Sequence, residues 1–359
     1  MKLFFKKISI FLPLPIIIIA VNYFVDPAHL FQNGNYEKGI AELLLGNKYV
    51  ANTSNCDERL LQKYYIRGLK NKKDVIVLGS STARMLGKDI FPGLLFFNSS
   101  VGGATIEDSL AIYWLYRKNN LLPRMIIFTA DSCLFNVNNR KENYKSIEFE
   151  FNEALKYINV KNKSKTGWDI SSIFNKKYLE LISISYFKES LSVLLKIIKS
   201  GSGWHYYPIT YTEEQFLRMP DGTFNIDANM EKTTAQIRKI AVDFAKTNPV
   251  YGLREYAKLD ENKVEIFEKL IKLMLKDKVK PILFIPPYHP AVYDLLMTQN
   301  QYNIIRKVES YFIKFALNNK IKLLGSYNPS KLKLNETDFS DGIHLKKKSA
   351  NIYMTSSLK

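Results

Sequence analysis

The chain is predicted to fold as an α/β protein around a parallel five-stranded sheet. Three observations predict it. Short β-branched runs end at turn residues, amphipathic helical patterns lie between them, and 359 residues, 46% of them apolar, suffice to bury a sizeable core. The same composition excludes a disordered chain, a coiled coil and a disulfide-stapled miniprotein. Two cysteines, Cys56 and Cys133, stand far apart and fit no zinc spacing. No structural metal is therefore expected, and one Cys56–Cys133 disulfide stays open.

The chain opens with Lys2, Lys6 and Lys7, followed from Ile8 to Val25 by a stretch without a charge. That is a hydrophobic span of membrane length, and it runs into Asn22, Tyr23, Phe24 and Asp26-Pro27 with no small-x-small cleavage site. The stretch reads as one N-terminal transmembrane helix, an uncleaved anchor over residues 1–31. A signal peptide and a buried core helix are the alternatives. Pro13 and Pro15 sit near its start, where a kink is tolerable. Lysines before the span and an aspartate after it place the N-terminus in the cytoplasm and the main domain in a periplasm or outside the cell.

Residues 36–70 carry helical patterns, with the acidic pair Asp57-Glu58 suited to a first helical turn. Asp74–Gly79 is then a short buried strand. A second strand, Leu94–Asn98, leads through a Gly-Gly turn into a helix that places Ile106, Leu110, Tyr113 and Trp114 on one face. Met125–Thr129 is the third. The fourth, Val279–Ile285, lies between one helix bearing Val264, Phe267, Ile271, Met274 and Leu275 and another bearing Ile304, Val308, Phe312 and Phe315. Ile321–Leu324 is the fifth. Alternating strands and helices imply βαβ units with right-handed crossovers, in a domain formed by residues 32–135 and 260–359.

Between 136 and 259 the alternation stops. A helix over Lys177–Lys199, a Gly/Ser break at Ser200–Gly203 and a turn at Met219–Gly222 mark a mainly helical insertion, read as a lid or substrate-binding subdomain. His205 stands there among Trp204, Tyr206 and Tyr207, aromatics suited either to stacking on a sugar or to packing on the sheet domain.

An open parallel sheet binds its ligands at the carboxyl ends of its strands, and three such places are chemically loaded. The first strand ends in Gly79-Ser80-Ser81-Thr82, which sets a serine hydroxyl at the start of a short helical pattern. The second ends in Asn98–Gly103, where a glycine lets a backbone N–H approach a reacting carbonyl. Near the C-terminus, Asp341 and His344 have the spacing that lets a carboxylate orient an imidazole, as a serine nucleophile requires.

In this order the blocks resemble the SGNH, or GDSL-like, hydrolase superfamily. Residues 74–84 are similar to its first block, with Ser80 where those enzymes carry Asp and Ser81 at the nucleophile. Asn98–Gly103 resemble the second block and Asp341/His344 the last. The resemblance implies a three-layer, flavodoxin-like SGNH fold, a Ser81–His344–Asp341 triad, and an oxyanion hole built from the N–H groups of Ser81 and Gly103. The anchor, Asp26-Pro27, the Asp57–Leu60 stretch and the Gly-Ser-Ser form are similar to DltD-like and AlgX/AlgJ-like envelope proteins, which handle acyl groups on extracytoplasmic polysaccharides or teichoic acids. One block departs: where the family has Gly-x-Asn, this chain has Thr129-Ala-Asp131-Ser132. A carboxylate there repels an oxyanion unless it is protonated or turned away, which leaves Ser132 or Asn136 as candidate donors.

Arg84, Asp131, Ser132 and His289 are further candidates for substrate binding. His289 follows the fourth strand in a proline-rich turn, and His29 lies beside the anchor. The expected activity is that of a membrane-anchored serine acyl-esterase or O-acyltransferase acting on an envelope glycan; a catalytically silent scaffold that binds glycan or a membrane acyltransferase, and a structural envelope protein, are the alternatives. No nucleotide, flavin or metal motif is present, so the chemistry is expected to need no cofactor. A net charge of +18 reflects lysines spread along the whole chain, and Lys346, Lys347 and Lys348 form the best cluster for an anionic partner such as a lipid surface. No nucleic-acid recognition pattern occurs.

Overall fold

A computed structural model describes residues 13–51, 53, 55–139, 142–161, 177–200, 207–209, 217–225, 232–248 and 250–358. The first helix, α1 (Pro13–Val25), holds both prolines in its opening turn, where their missing N–H groups have no helical partner to lose. Residues 1–12, with the leading lysines, lie outside the described residues. Among the described residues no helix is long and apolar enough to cross a membrane.

The helical pattern from 36 to 70 divides into α2 (Asn35–Leu45) and α3 (Glu58–Gly68), with the short strand β1 (Tyr49–Ala51) between them. Asp57 caps α3 by accepting the N–H groups of Arg59 and Leu60. Then come β2 (Val75–Leu78), β3 (Phe96–Asn98), α4 (Ile106–Lys118) and β4 (Met125–Thr129). Thr105 and Asp108 form a capping box at the start of α4. Next are α5 (Glu148–Tyr157), α6 (Ile184–Ser200), the strands β5 (Tyr207–Ile209), β6 (Leu217–Arg218) and β7 (Phe224–Asn225), and α7 (Thr234–Lys246). The chain closes with α8 (Glu261–Lys276), β8 (Lys280–Ile285), α9 (Pro290–Met297), α10 (Ile304–Asn318), β9 (Lys322–Gly325) and α11 (Lys347–Leu358).

Five strands form one sheet in the order β3-β2-β4-β8-β9, and every pairing in it is parallel. Side chains alternate between its faces. Ile76, Leu78, Phe97, Ile126 and Phe128 join one core, with Phe267 of α8 and Phe312 of α10. Val75, Val77, Ile127, Ile282 and Phe284 join another, with Met354 of α11. Helices on both faces account for the near-continuous apolar strands. The connection leaves β2 toward β3 on one side and reaches β4 on the other, so the strand order reverses beside β2. A ligand crevice belongs at that point.

A second sheet, β5-β1-β6-β7, is antiparallel at every pairing, and Val50 sits opposite both Pro208 and Arg218. The insertion thus brings strands as well as helices, and β1 from before the main sheet knits it to the rest. Two- and three-residue strands are too short to show a period of two. Leu275, expected on the buried face of α8, is exposed. Cys56 and Cys133 form no disulfide, and burial pushes the Cys56 thiol far above its ordinary range. The sugar-stacking candidates Trp204, His205 and Tyr206 lie outside the described residues. His29 stacks on Tyr36 at 3.6 Å.

Candidate active site

The site begins at Gly79, where β2 ends with φ at +140°, a conformation side chains rarely adopt. A Cβ there would lie 1.5 Å from Thr129 Oγ1 at the end of β4. That hydroxyl uses the space: it accepts the Ser80 N–H at 3.0 Å and donates to Asp131 Oδ2 at 3.2 Å. Asp131 Oδ1 accepts the hydroxyls of Ser80 (3.0 Å) and Thr82 (2.9 Å). The Asp131 carboxylate, expected to repel an oxyanion, grips both neighbours of Ser81 at the strand ends. Burial raises its pKa, and the three hydroxyl donors only partly offset that.

The expected helix after Ser80 is a three-residue 3₁₀ turn, Ser81–Ala83, capped by the Ser80 hydroxyl. It is too short to supply a helix dipole, so any help to an anion comes from individual N–H groups. Asn98 holds this turn from below, donating to the carbonyls of Ala83 (2.7 Å) and Leu86 (2.9 Å).

From the other end of the chain, the loop after residue 338 folds back through a bridge between Phe339 and Leu345. Asp341 Oδ1 accepts the N–H groups of Ile343 (2.8 Å) and His344 (2.9 Å), which fixes the loop before the imidazole is placed. His344 Nδ1 then lies 2.7 Å from Asp341 Oδ2, and its Nε2 lies 2.9 Å from Ser81 Oγ, 263 residues away in sequence. With the proton on Nδ1 donated to Asp341, Nε2 is left to accept the serine hydroxyl. Burial works against the charge on Asp341, but the His344 hydrogen bond and the two loop N–H groups outweigh it and hold the carboxyl below its usual range. Asp341 is therefore a carboxylate that can stabilise an imidazolium.

Ser81 and Gly103 both line a cleft of about 50 Å³, space for roughly three or four waters. Neither N–H is taken up in the turn hydrogen bonds of its own loop. Gly103, at φ +55°, is set from behind by a network of charged residues that centres on Glu58 and Arg59. Arg59 grips Asp108 through two 2.9 Å bonds and donates to the Gly103 carbonyl at 3.4 Å. Glu58 accepts the Gly102 N–H and pairs with Arg84 and, at 2.7 Å, with Arg218. Burial opposes the Glu58 charge, yet the two guanidinium groups keep its pKa low. The cue in the sequence was an Asp-Glu-Arg run opening a helix, which also fits an ordinary cap.

Three expectations are corrected. Arg84 is not a cleft residue: it is held by Glu58 and stacked 4.7 Å over Phe224. His289 is buried outside the cleft; its Nδ1 caps α9 by accepting the Ala291 N–H, and its own N–H holds the Gly342 carbonyl at 3.0 Å. Burial lowers its pKa, which suits a neutral cap. Asn136 spends its amide on the carbonyls of Gly252 and Arg254 and is no oxyanion donor. Ser132 does line the cleft, 2.5 Å from the Tyr288 hydroxyl. The walls that sequence reasoning missed are apolar: Phe244 and Tyr251 from the insertion, with Pro286, Pro287 and Ile343.

What the arrangement can do chemically follows from its parts: a nucleophile, a base within hydrogen-bond reach, an orienting carboxylate and two available N–H donors meet at one small apolar cleft. No protein-family model, curated protein or solved structure matches the chain.

Proposed function

We propose that the protein is a serine acyl-esterase or O-acyltransferase of SGNH type, with a flavodoxin-like arrangement of its sheet, anchored in a membrane by its first thirty residues and acting on an envelope glycan. The observation that carries the chemistry is the unbroken chain Ser81 Oγ, His344 Nε2, His344 Nδ1, Asp341 Oδ2, with contacts of 2.9 and 2.7 Å. In the first half-reaction Ser81 Oγ attacks the carbonyl carbon of an acyl ester while its proton passes to His344 Nε2. The N–H groups of Ser81 and Gly103 receive the negative oxygen. Collapse expels the alkoxide, which takes the proton from His344 and leaves an acyl-serine. In the second half-reaction a water or a sugar hydroxyl gives its proton to His344 and attacks the acyl carbon, and as the intermediate collapses His344 returns that proton to the departing Ser81 oxygen.

The hydrogen bonding of Asp131 supports an active rather than a silent scaffold: although the residue stands on the cleft wall, its oxygens accept the hydroxyls of Ser80, Thr82 and Thr129, which offset its charge. The small cleft supports a short acyl group, and the apolar stretch from Ile8 to Val25 supports the anchor. Two donors where three are usual predict a slower enzyme, since each missing donor costs about 10²–10³ in rate.

The test is labelling of the full chain with a serine-reactive fluorophosphonate. Adduct is expected on Ser81 and lost in Ser81→Ala, with turnover of an acetyl ester falling by about 10⁴ or more. A folded protein that takes up no label supports the scaffold reading instead.

A further inference from the structure

The helix α6 does not behave as part of a lid over the cleft. It lies antiparallel to α1: Tyr186 donates to Asp26 Oδ1 at 2.7 Å, and one turn further along Ser190 donates to Asn22 Oδ1 at 3.1 Å. The Asn22 amide also donates to the carbonyls of Glu180, Leu181 and Ser183, which tie off the turn before α6. Asn22 and Ser190 are both 0% exposed. The outside of the pair carries large apolar residues on both helices. Ile184 is 65% exposed, Leu195 55% and Ile198 69% on α6, and Ile16 65% and Phe24 72% on α1.

This is the reverse of what water selects. Two helices meeting in water place their aliphatic residues between them and their amides outside. A pair that buries Asn, Asp, Ser and Tyr and exposes Ile, Leu and Phe is glued by hydrogen bonds and solvated by something apolar. On α6 the exposed positions 184, 191, 195 and 198 recur at helical spacing as one stripe with Lys188 at its edge, while Ser185, Ser192 and Lys199 occupy an exposed polar flank and Glu189 is exposed beyond it. At the end of α1 where the chain enters the folded domain, Tyr23 meets Phe24 and Phe31, and Phe31 meets Tyr178, with Lys177 Nζ 5.2 Å over the Phe31 ring. Aromatics gathered with a lysine are what a membrane–water interface selects.

We infer that α6 is a second lipid-contacting element: its stripe Ile184, Leu191, Leu195 and Ile198 inserts beside α1 into an anionic bilayer, with its lysine-bearing flank toward the headgroups. The occupant is lipid rather than protein because the stripe is continuous with the apolar surface of α1, whose sequence runs on toward Ile8, and because the flank carries the charge that anionic headgroups attract. The inference rests on reading α1 as an anchor. It also gives the insertion a purpose: a helix in the bilayer that is tied to Asp26 and Ala28, where the chain leaves α1, braces the anchor at the point from which the folded domain is held.

The unmodified full chain, reconstituted into phosphatidylcholine–phosphatidylglycerol vesicles, is photolabelled with a diazirine that partitions into the acyl chains, and adducts are mapped by mass spectrometry. Labelling of Ile184, Leu191, Leu195 and Ile198 within about threefold of that on Ile16 and Ile17, with Ser185, Ser192 and Lys199 unlabelled, is the expected result. Label on α1 alone overturns the inference and leaves the anchor standing; the stripe is then covered by protein, either a second copy or an integral membrane partner. Label on neither helix overturns both. In Leu195→Glu, the α6 adducts are expected to fall by about tenfold while those on α1 stay, since a charge is costly among acyl chains.

Discussion

At the scale of single residues, the position that departs most from the resemblance is the one the structure explains best. Asp131 stands where the family pattern expects an amide donor, and its effect on the reaction depends on where its oxygens point. They point at three hydroxyls, two of which flank Ser81. Asp131 is therefore a positioning residue, and its removal should act through the nucleophile turn. In Asp131→Ala the hydroxyls of Ser80, Thr82 and Thr129 lose their acceptor, a cost of about 1–3 kcal/mol in stability. Asp131→Asn separates charge from shape. Burial raises the native pKa of Asp131, so the stability drawn from its neutral form is present below the ordinary carboxylate range and lost as pH rises through the raised native value. The Asn variant has no such loss. Urea denaturation across pH 3 to 7 should show the variant gaining on the parent as pH rises, and a constant gap would show that the carboxyl titrates normally.

At the scale of elements, the strands of the main sheet were legible because burial on both faces demands runs such as Val75–Leu78 and Met125–Thr129, which few other structures need. The triad was legible because its parts sit at strand ends and in one short loop, where spacing carries geometry. Other elements left no such trace. The strands β1, β5, β6 and β7 are two or three residues long, and the network joining Glu58 to Arg218 spans 160 positions with no repeated spacing. The strand ends also carry a prediction about backbone. Gly79 and Gly93 both have positive φ, but a side chain at Gly79 collides with Thr129, whereas nothing lies within 4 Å of one at Gly93. Gly93→Ala should cost about 1 kcal/mol, for conformation alone. Gly79→Ala must displace the hydroxyl that holds Ser80 and Asp131, and should cost more than about 3 kcal/mol and most of the activity. Equal melting temperatures for the two variants would contradict the geometry.

At the scale of the whole molecule, the site is assembled from parts that only the complete fold brings together. Glu58 ties α3, the Gly102–Gly103 turn, the Arg84 turn and β6 of the insertion. Because Arg218 is buried, Glu58→Gln strands a guanidinium and should destabilise the protein by about 3 kcal/mol, read by chemical denaturation. The insertion also enters the cleft itself. Phe244 at the end of α7 lines it and packs against Gly342, where an added Cβ would lie 3.0 Å from the ring. One aromatic ring thus limits the cleft and braces the loop that carries Asp341 and His344. Truncating it separates the two roles. In Phe244→Ala the loosened loop lowers kcat for an acetyl ester, while the added space admits longer chains, and each methylene accommodated is worth about 1 kcal/mol. The ratio of kcat/KM for a butyryl ester to that for an acetyl ester should therefore rise about tenfold or more. If the enzyme transfers acyl groups, the opened cleft should also shift partitioning of the acyl-serine from sugar hydroxyl toward water, because exclusion of water at this wall is what favours the larger acceptor. A variant that loses rate with an unchanged chain-length ratio would assign Phe244 to the loop alone and place the acyl group elsewhere in the cleft.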